Sequence, residues 1–340
     1  MRNLLTFANR ALLSIVMVVG CQSQDGAIST KEAAFQDVFL VVDSIILQET
    51  DSVINVGLNV RSDAEGNYLI ADEREKQLRI YSPSGQLLIH FGRGGSGPGE
   101  FEYPVALLRS RTGELIAVDG HGRLTTYTPD ATRLVRNQAT PFHTVYDADI
   151  VDDSTLLLSG VSSETPEMRL HLWDIKSNRL IRSFMKIPDI DPAAASAAGI
   201  ANATVHGDTI LALFALSDTI YRFTNSGKTL EAIALKNIGF RSLTVPPPAR
   251  NAGLDAIKAW TASFSMMSQV YPLNEGFIVQ YSDRENLIPN WRLAIVDRHG
   301  VATVVIKDSP KLLTQSARGT VFTHPTSLTP NKWAITEPLQ

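Results

Sequence analysis

Residues 63–104 read DAEGNYLIADEREKQLRIYSPSGQLLIHFGRGGSGPGEFEYP, and this stretch decides the fold. It contains three short runs of mostly apolar residues, at 68–71, 78–81 and 87–91, each typical of a β-strand. Between the second and third runs, SPSG at 82–85 is a turn signal, because proline fixes φ and glycine accepts a positive φ. Short strands separated by such turns predict an all-β architecture.

The same pattern returns along the chain, which predicts a β-propeller built from four-stranded blades. The turn between the last two strands of a blade is recognisable at residues 82–85, 128–130, 176–178, 225–227 and 298–300. After these five blades the sequence predicts only two more strands, at 327–328 and 332–335. Residues 37–47 (DVFLVVDSIIL) are expected to supply the outer half of that last blade, so that the N-terminal strand closes the ring on the C-terminal strands. The prediction is six blades, with seven as the alternative.

The motifs in residues 63–104 also carry a family resemblance. Asp-x-x-Gly-Asn-x-Leu-Ile-Ala-Asp at 63–72 and Phe-Gly-x-x-Gly-x-Gly-Pro-Gly-x-Phe-x-x-Pro at 91–104 resemble the NHL repeat. The whole chain is similar to the six-bladed, NHL-like propeller lipoproteins of bacterial envelopes, although from residue 152 onward the likeness is only architectural. The resemblance implies a six-bladed propeller and an envelope location.

Composition and charge exclude some classes of function. Hydrophobic residues make up 44% of the 340 residues and charged residues 19%, which is ordinary for a packed globular protein. The formal net charge is −4, and no cluster of lysine and arginine could follow a phosphate backbone. We therefore expect no nucleic acid among the partners.

The N-terminus has the pattern of a bacterial lipoprotein. Residues 1–20 read as a signal peptide with a short apolar core at 11–19, and Val-Val-Gly-Cys at 18–21 resembles a lipobox. Cys21 is the only cysteine in the chain and lies where lipidation requires it. The alternative is an ordinary signal peptide with an incidental cysteine. Residues 21–36 are then a tether, and residues 37–340 form the propeller domain.

The lipid anchor implies a place in the cell. Several acyl chains give a stable membrane anchor. We expect no membrane contact other than this anchor. Gln22 in place of aspartate after the cysteine suits retention in the outer membrane in families with this signal. The expected location is the periplasmic face of the outer membrane, with the propeller as a monomeric domain.

The long connections between blades are expected on one face of the ring, where function often concentrates. The sequence places them at residues 92–104, 137–146, 187–202, 236–268 and 307–326. Within 236–268, Ile257, Trp260, Phe264 and Met267 have the spacing of one face of an amphipathic helix. This helix either packs its stripe on the propeller or docks a partner, with Trp260 and Phe264 as anchors.

Several residues could support metal chemistry. Aspartates that follow strands, Asp72 and Asp119 with Asp218 and Asp283, could form a carboxylate ring for Ca²⁺. The competing interpretation is that each aspartate accepts hydrogen bonds from the amides of its own turn. The glycine-rich segment 92–99 lacks the spacing of a phosphate-binding loop, so its glycines are interpreted as structural.

Two histidines complete the list of candidates. His121 and His143 fall on predicted loops of the same face, near Asp119, and could hold a zinc-type ion. No cofactor is predicted, and a divalent metal, Ca²⁺ or Zn²⁺, stays as the alternative.

These observations favour a non-enzymatic binding module that engages an envelope protein or a small ligand through the face with the inter-blade loops. The alternative is a propeller-type hydrolase or lyase with a metal-assisted site around Asp72, Asp119, His121 and His143. A structural subunit of an envelope complex is the third hypothesis. The fold alone cannot decide among them, because propellers support many functions.

Overall fold

The computed structural model describes residues 30–50, 58–188, 201–249, 251–325 and 331–339, which form six β-sheets arranged as the blades of a propeller. Five sheets have four strands, and the sheet of blade five has a fifth. Within every blade, strands that are neighbours in the sheet pair antiparallel, apart from that fifth strand. The predicted all-β, six-bladed fold is confirmed.

The strands are numbered in chain order, and the first strand of each blade lies innermost. Blade one contains β3 (Leu58–Ser62), β4 (Tyr68–Asp72), β5 (Gln77–Tyr81) and β6 (Leu87–Phe91). Blade two contains β7 (Pro104–Arg109), β8 (Leu115–Asp119), β9 (Arg123–Tyr127) and β10 (Leu134–Ala139). Blade three contains β11 (Phe142–Ile150), β12 (Thr155–Ser162), β13 (Met168–Asp174) and β14 (Arg179–Lys186).

Blade four contains β15 (Ala201–His206), β16 (Thr209–Phe214), β17 (Thr219–Thr224) and β18 (Thr229–Ala234). Blade five contains β19 (Met266–Leu273), β20 (Gly276–Glu285), β21 (Ile288–Asp297) and β22 (Ala302–Ile306), with β1 (Lys31–Ala33) beside β22. Blade six contains β23 (Leu312–Ser316), β24 (Gly319–Thr323) and β25 (Lys332–Pro338), with β2 (Phe39–Ile46) as its outer strand.

The N-terminal strand closes the ring, as predicted. β2 runs antiparallel to β25, from Phe39 opposite Pro338 to Ile46 opposite Lys332. However, the C-terminal part of the chain supplies three strands rather than two, because the predicted loop 307–326 contains β23 and β24. The strand predicted at 327–328 lies outside the described residues.

The packed domain begins earlier than residue 37. Lys31–Ala33 form β1, which pairs parallel with β22, and the Lys307 ammonium lies 2.6 Å from the Glu32 carboxylate. A short 3₁₀ helix at Phe35–Asp37 follows, and the Phe35 side chain is buried. Residues 31–36, expected in the tether, therefore belong to the folded domain, since they add a strand to an otherwise open sheet edge.

Apolar side chains pack in layers between neighbouring blades. At the seam where the ring closes, Trp333 of β25 is fully buried, and its ring lies 5.2 Å from the ring of Tyr68 in blade one. The repeated turns support the same packing. Gly85 has φ of +87°, and a Cβ there would lie 2.5 Å from the carbonyl oxygen of Ile46 in the preceding blade, so only glycine fits without strain.

The connections define two faces. The short-turn face carries the turns from first to second and from third to fourth strand, which in blade one are residues 63–67 and 82–86. The crossover face carries the turns from second to third strand and the inter-blade connections, whose described parts are residues 47–50, 92–103, 140–141, 187–188, 235–249, 251–265 and 307–311.

The crossover face differs from prediction in two places. Only residues 140–141 join β10 to β11, so most of the predicted loop 137–146 is strand, and the predicted loop 307–326 reduces to residues 307–311. Of the predicted loop 187–202, residues 189–200 lie outside the described residues. Segment 235–265 contains the α-helix α1 (Leu254–Thr261), where the helical stripe was predicted.

Candidate binding site in the central channel

The predicted metal-binding aspartates have protein partners instead. Asp72 is fully buried, accepts hydrogen bonds from the amides of Arg74 and Glu75, and lies 2.9 Å from the Arg79 guanidinium. Burial raises the pKa of Asp72, although these partners act in the opposite direction. The geometry agrees with the competing interpretation, in which an aspartate organises its own turn.

Asp119 repeats this arrangement one blade further on. Its carboxylate accepts hydrogen bonds from the amides of Glu102, Tyr103 and His121. The carboxylate is buried, and the Arg123 guanidinium is 3.8 Å away. These contacts tie the crossover between blades one and two to blade two.

The later aspartates do not join a ring with the first two. Asp283 contacts the guanidinium groups of Arg241 and Arg292 and accepts a hydrogen bond from the Ser265 hydroxyl. Burial opposes ionisation of Asp283, but these partners lower its pKa overall. Asp218 lies partly buried before β17. Among the described residues, no group of three or more histidine, cysteine, aspartate or glutamate side chains could hold a metal ion.

The two histidines are near each other in the backbone but have different settings. The amide of Val145 donates to Gly120, so the turn that carries His121 lies beside the start of β11. His121 is exposed, and its Nε2 is 3.6 Å from the Glu102 carboxylate. His143 was predicted on a loop, but it is an exposed residue of β11.

The helix on the crossover face packs through only part of its predicted stripe. Phe264 is 1% exposed and Met267 of β19 is buried, so both contact the interior of the protein. Trp260 is partly buried; its ring lies 5.0 Å from the ring of Phe264, and its Nε1 donates to the carbonyl of Val245. Phe264 is therefore not an exposed anchor, and the docking role of Trp260 stays a prediction.

A polar cavity of about 170 Å³ lies where the inner strands of five blades converge. Its wall comes from β3, β11, β15, β19 and β23, and includes Arg61, Ser62, Asp149, Thr204, Val205, His206, Tyr271, Pro272, Thr314 and Gln315. These residues lie mostly toward the carboxyl ends of their strands. The cavity therefore occupies the part of the central channel nearest the short-turn face.

Charged side chains in this channel form hydrogen bonds with backbone groups at the inner edges of the blades. The guanidinium of Arg61 donates to the Asp147 carboxylate and to the carbonyl oxygen of Ala148 on the inner strand of blade three. The Asp149 carboxylate accepts a hydrogen bond of 2.8 Å from the amide of Val205 on the inner strand of blade four. Inner strands are sheet edges, so these contacts stabilise backbone groups that the sheets leave unpaired.

Arg61, Asp147 and Asp149 are surrounded by protein but face the cavity. The side chains of Arg61 and Asp147 therefore remain 19% and 22% exposed. Burial alone would lower the pKa of Arg61, but Asp147 and Tyr271 raise it, and the net shift is upward. Burial raises the pKa values of Asp147 and Asp149, against the effect of Arg61. Two carboxylates therefore share one permanent cation in a region of reduced solvation.

A second cavity, of about 330 Å³, shares His206 and Pro272 with the first. It runs outward between blades four and five, over Leu211, Leu273 and Phe277, and its other lining residues are Thr209, Arg222, Asn274, Glu275, Gly276 and Arg298. The two cavities therefore adjoin at His206 and Pro272, and the second forms a groove beside the first.

The sequence-based search missed this site. Its signal is charge inside the inner strands as the structure has them: Arg61 near the end of β3, and Asp147 and Asp149 two residues apart in β11. Residues at i and i+2 share a side of a strand, so this pair pointed to one surface. The search instead favoured acidic residues in turns and histidines in loops.

The predicted signal peptide and Cys21 lie outside the described residues. Among the residues that are described, no helix is long and apolar enough to cross a membrane.

Comparisons with solved structures agree with the architecture. A Bacteroides fragilis protein described as a candidate exported protein has a TM-score of 0.63 and 16% identity, over 86% of this chain and 86% of that chain. A member of the duf4221 family from Bacteroides vulgatus has a TM-score of 0.64 and 9% identity, over 89% of this chain and 98% of that chain. At such identities the likeness shows the fold alone.

Comparison with curated sequences gives no match. A family described as 6-bladed beta-propeller, DUF5128, matches residues 9–243, which is more than half of the chain and includes blades one to four. The protein therefore belongs to this family of six-bladed β-propellers.

Proposed function

We propose that this propeller is an exported envelope protein that binds a small polar ligand in the channel cavity. The observation that carries the proposal is a partly open cavity of about 170 Å³ whose wall is polar and comes from the inner strands of five blades. Concave sites with a few convergent polar groups are where proteins most often hold small molecules. The site is at the opposite end of the ring from the loop face that the sequence favoured.

A ligand screen with a cavity-filling variant tests this proposal. Thr204→Trp places an indole in the cavity, and Thr229→Trp on the exposed outer strand of blade four is the matched control. Compounds that raise the melting temperature of the wild type and of Thr229→Trp, but not of Thr204→Trp, would support channel binding. Equal shifts in all three proteins, or no shift with any compound, would contradict it.

The envelope location rests on the sequence, with Cys21 at the end of the apolar segment and the NHL-like motifs of residues 63–104. An anchor at Cys21 would hold the propeller at the membrane, on the periplasmic face of the outer membrane. In a bacterium that processes lipoproteins, we expect an alkyne fatty acid to label the wild type and the protein to follow the outer-membrane fraction. Cys21→Ser should lose both properties, and equal labelling of the two proteins would contradict the anchor.

A second candidate function, protein docking on the crossover face, is favoured by the outward side of α1. Leu254 and Ile257 are 57% and 39% exposed, next to the partly buried Trp260. The partner would be an envelope protein that presents an apolar surface. Crosslinking to a partner should be lost in Leu254→Ser/Ile257→Ser but kept in Leu230→Ser, which removes an exposed leucine from blade four.

A further inference from the structure

We propose that the ligand of the channel cavity carries a single positive charge on an amine, which lies against Asp149. This inference deepens the proposed channel binding and rests on it. It follows from three features of the wall: its net charge, one buried acceptor that has no hydrogen-bond partner in the described part of the chain, and its size.

The charge balance comes from the ionisable groups that converge there. Arg61 from β3 donates to the Asp147 carboxylate and also acts electrostatically on Asp149, so its single positive charge is shared by two carboxylates. The other titratable wall residues are Tyr271 of β19, whose pKa burial raises, and His206 of β15, which is exposed at the mouth. The described wall therefore has a net charge of about −1 at neutral pH once Asp149 is ionised, so a monocation completes it.

The hydrogen-bonding groups of the wall agree with a donor-rich ligand. Next to the main cavity, on the side toward the crossover face, is a smaller space of about 20 Å³. It is lined by Arg61, Asn202, Ala203, Thr204, Gln269, Val270 and Tyr271. The Oε1 atom of Gln269 is buried there without a hydrogen-bond partner among the described residues. A buried acceptor without a donor is costly. An ammonium group has three donors and no acceptor, so it suits a wall that presents acceptors such as the Asp149 carboxylate.

The dimensions limit the charged part of the ligand. A water molecule occupies about 30 Å³ of liquid, so the cavity of about 170 Å³ has room for a group of roughly six to eight non-hydrogen atoms. A longer ligand would continue into the adjoining groove, where Leu273 and Phe277 offer apolar contact. The class of ligand is therefore a small amine or amino alcohol, alone or as the end of a longer molecule.

Three probes of equal chain length separate charge from shape. Aminopentanol, pentanediol and hydroxypentanoate, each substituted at both ends of the chain, are cationic, neutral and anionic at neutral pH. Titration of the wild-type protein, followed by calorimetry or by ligand NMR signals, should give binding of aminopentanol at least tenfold tighter than of the other two. Equal or tighter binding of pentanediol or hydroxypentanoate would overturn the cationic class, and so would the absence of binding by all three.

A charge-removing variant places the amine. Asp149→Asn keeps an oxygen that can accept from the Val205 amide but removes the charge, so the affinity for aminopentanol should fall at least tenfold. The matched control, Asp153→Asn, removes the same charge from a surface pair with Arg111 and should leave the affinity unchanged. Unchanged affinity in a folded Asp149→Asn protein would overturn the placement.

The probe series and the screen fail in different ways. The comparison among probes uses the wild-type protein, so it holds whether or not Asp149→Asn folds. If the screen finds compounds that Thr204→Trp excludes but none of them is an amine, channel binding stands and the cationic class is wrong. If Thr204→Trp excludes nothing, the proposed function itself is wrong.

Discussion

The two faces of the ring differ in how they are built. The crossover face carries two long connections that the structure describes in large part, residues 92–103 and residues 235–265 with their helix. The short-turn face is made of compact turns such as residues 82–86. Nevertheless, the polar cavity and the groove that adjoins it both lie toward the short-turn face.

This difference teaches that loop length and site chemistry need not coincide in a propeller. The long connections here are largely occupied with structural contacts, as when Phe264 packs inward and Asp119 binds the crossover amides. The channel residues come instead from strands, which hold them in a fixed geometry with little further loss of entropy on binding.

The largest effect is expected at the ring closure. Trp333→Ala removes a fully buried indole that packs on Tyr68, and should lower the free energy of unfolding by about 3–5 kcal/mol, measured by urea denaturation. Because the structure of both faces depends on the closed ring, this variant should destabilise both faces together. Ile46→Ala, at an exposed position of the same blade, is the control, and equal losses for the two variants would contradict the closure.

A smaller effect, confined to the short-turn end, is expected from Arg61→Met. Without Arg61 the buried Asp147 carboxylate has no cation, which should cost about 2–4 kcal/mol of unfolding free energy at neutral pH. The loss should shrink as pH falls, since burial already raises the pKa of Asp147 and protonation removes the unpaired charge.

The control for this variant is Arg111→Met, which breaks an exposed ion pair with Asp153 and should change stability far less than Arg61→Met does. The double variant Arg61→Met/Asp147→Leu should regain part of the loss, because it leaves no unpaired charge. A double variant that is less stable than the sum of its single variants would contradict the pairing.

The sequence predicted the blades well because their turns contain local information. The proline and glycine at 83 and 85 mark a turn wherever the chain folds, and residues 37–47 were recognisable as a strand without a neighbour. β23 and β24 were missed because residues 312–323 contain no such strong signal, only the short connection between Ser316 and Gly319. A blade can therefore be predicted where its turns contain strong proline and glycine signals, and its strands are missed where the turns lack them.

The candidate site was harder to predict because its residues are distant in sequence. Arg61 and Asp147 contact each other although they are 86 positions apart in sequence. The local sequence around either residue gives no signal for this contact. Asp72 was chosen from its place after a strand, but its turn amides account for it. Which charges meet in the channel depends on how the inner strands of different blades align, and this alignment follows only from the assembled ring.

Asp149→Asn is expected to change the free energy of unfolding by a smaller amount, and in the opposite direction. Burial raises the pKa of Asp149, so its contribution to stability is present at low pH and is lost as pH rises through the folded-state pKa. At neutral pH the asparagine variant should therefore be more stable by about 0.5–2 kcal/mol, and the difference should vanish in acid.

Asp153→Asn supplies the opposite case. Arg111 lowers the pKa of Asp153, so this variant should lose rather than gain stability at neutral pH, with a small effect because the pair is exposed. Thermal unfolding of both variants between about pH 3 and pH 8 measures the contrast, because this range begins below the ordinary aspartate pKa of about 3.9. The same sign for both would contradict the assignment of Asp149 as a destabilising charge retained in the cavity.

The smallest effect is expected on the crossover face, at Leu254→Ser and Ile257→Ser. Both side chains are exposed on α1, so each substitution should change the free energy of unfolding by no more than about 0.5 kcal/mol, measured by urea denaturation. Phe264→Ala, which empties a buried position under the same segment, should cost several times more and is the internal control. Losses at Ile257 as large as those at Phe264 would mean that the outward side of α1 already packs on this chain. In that case it could not serve a partner, and binding through the short-turn face would be the only one of the two proposed functions that stands.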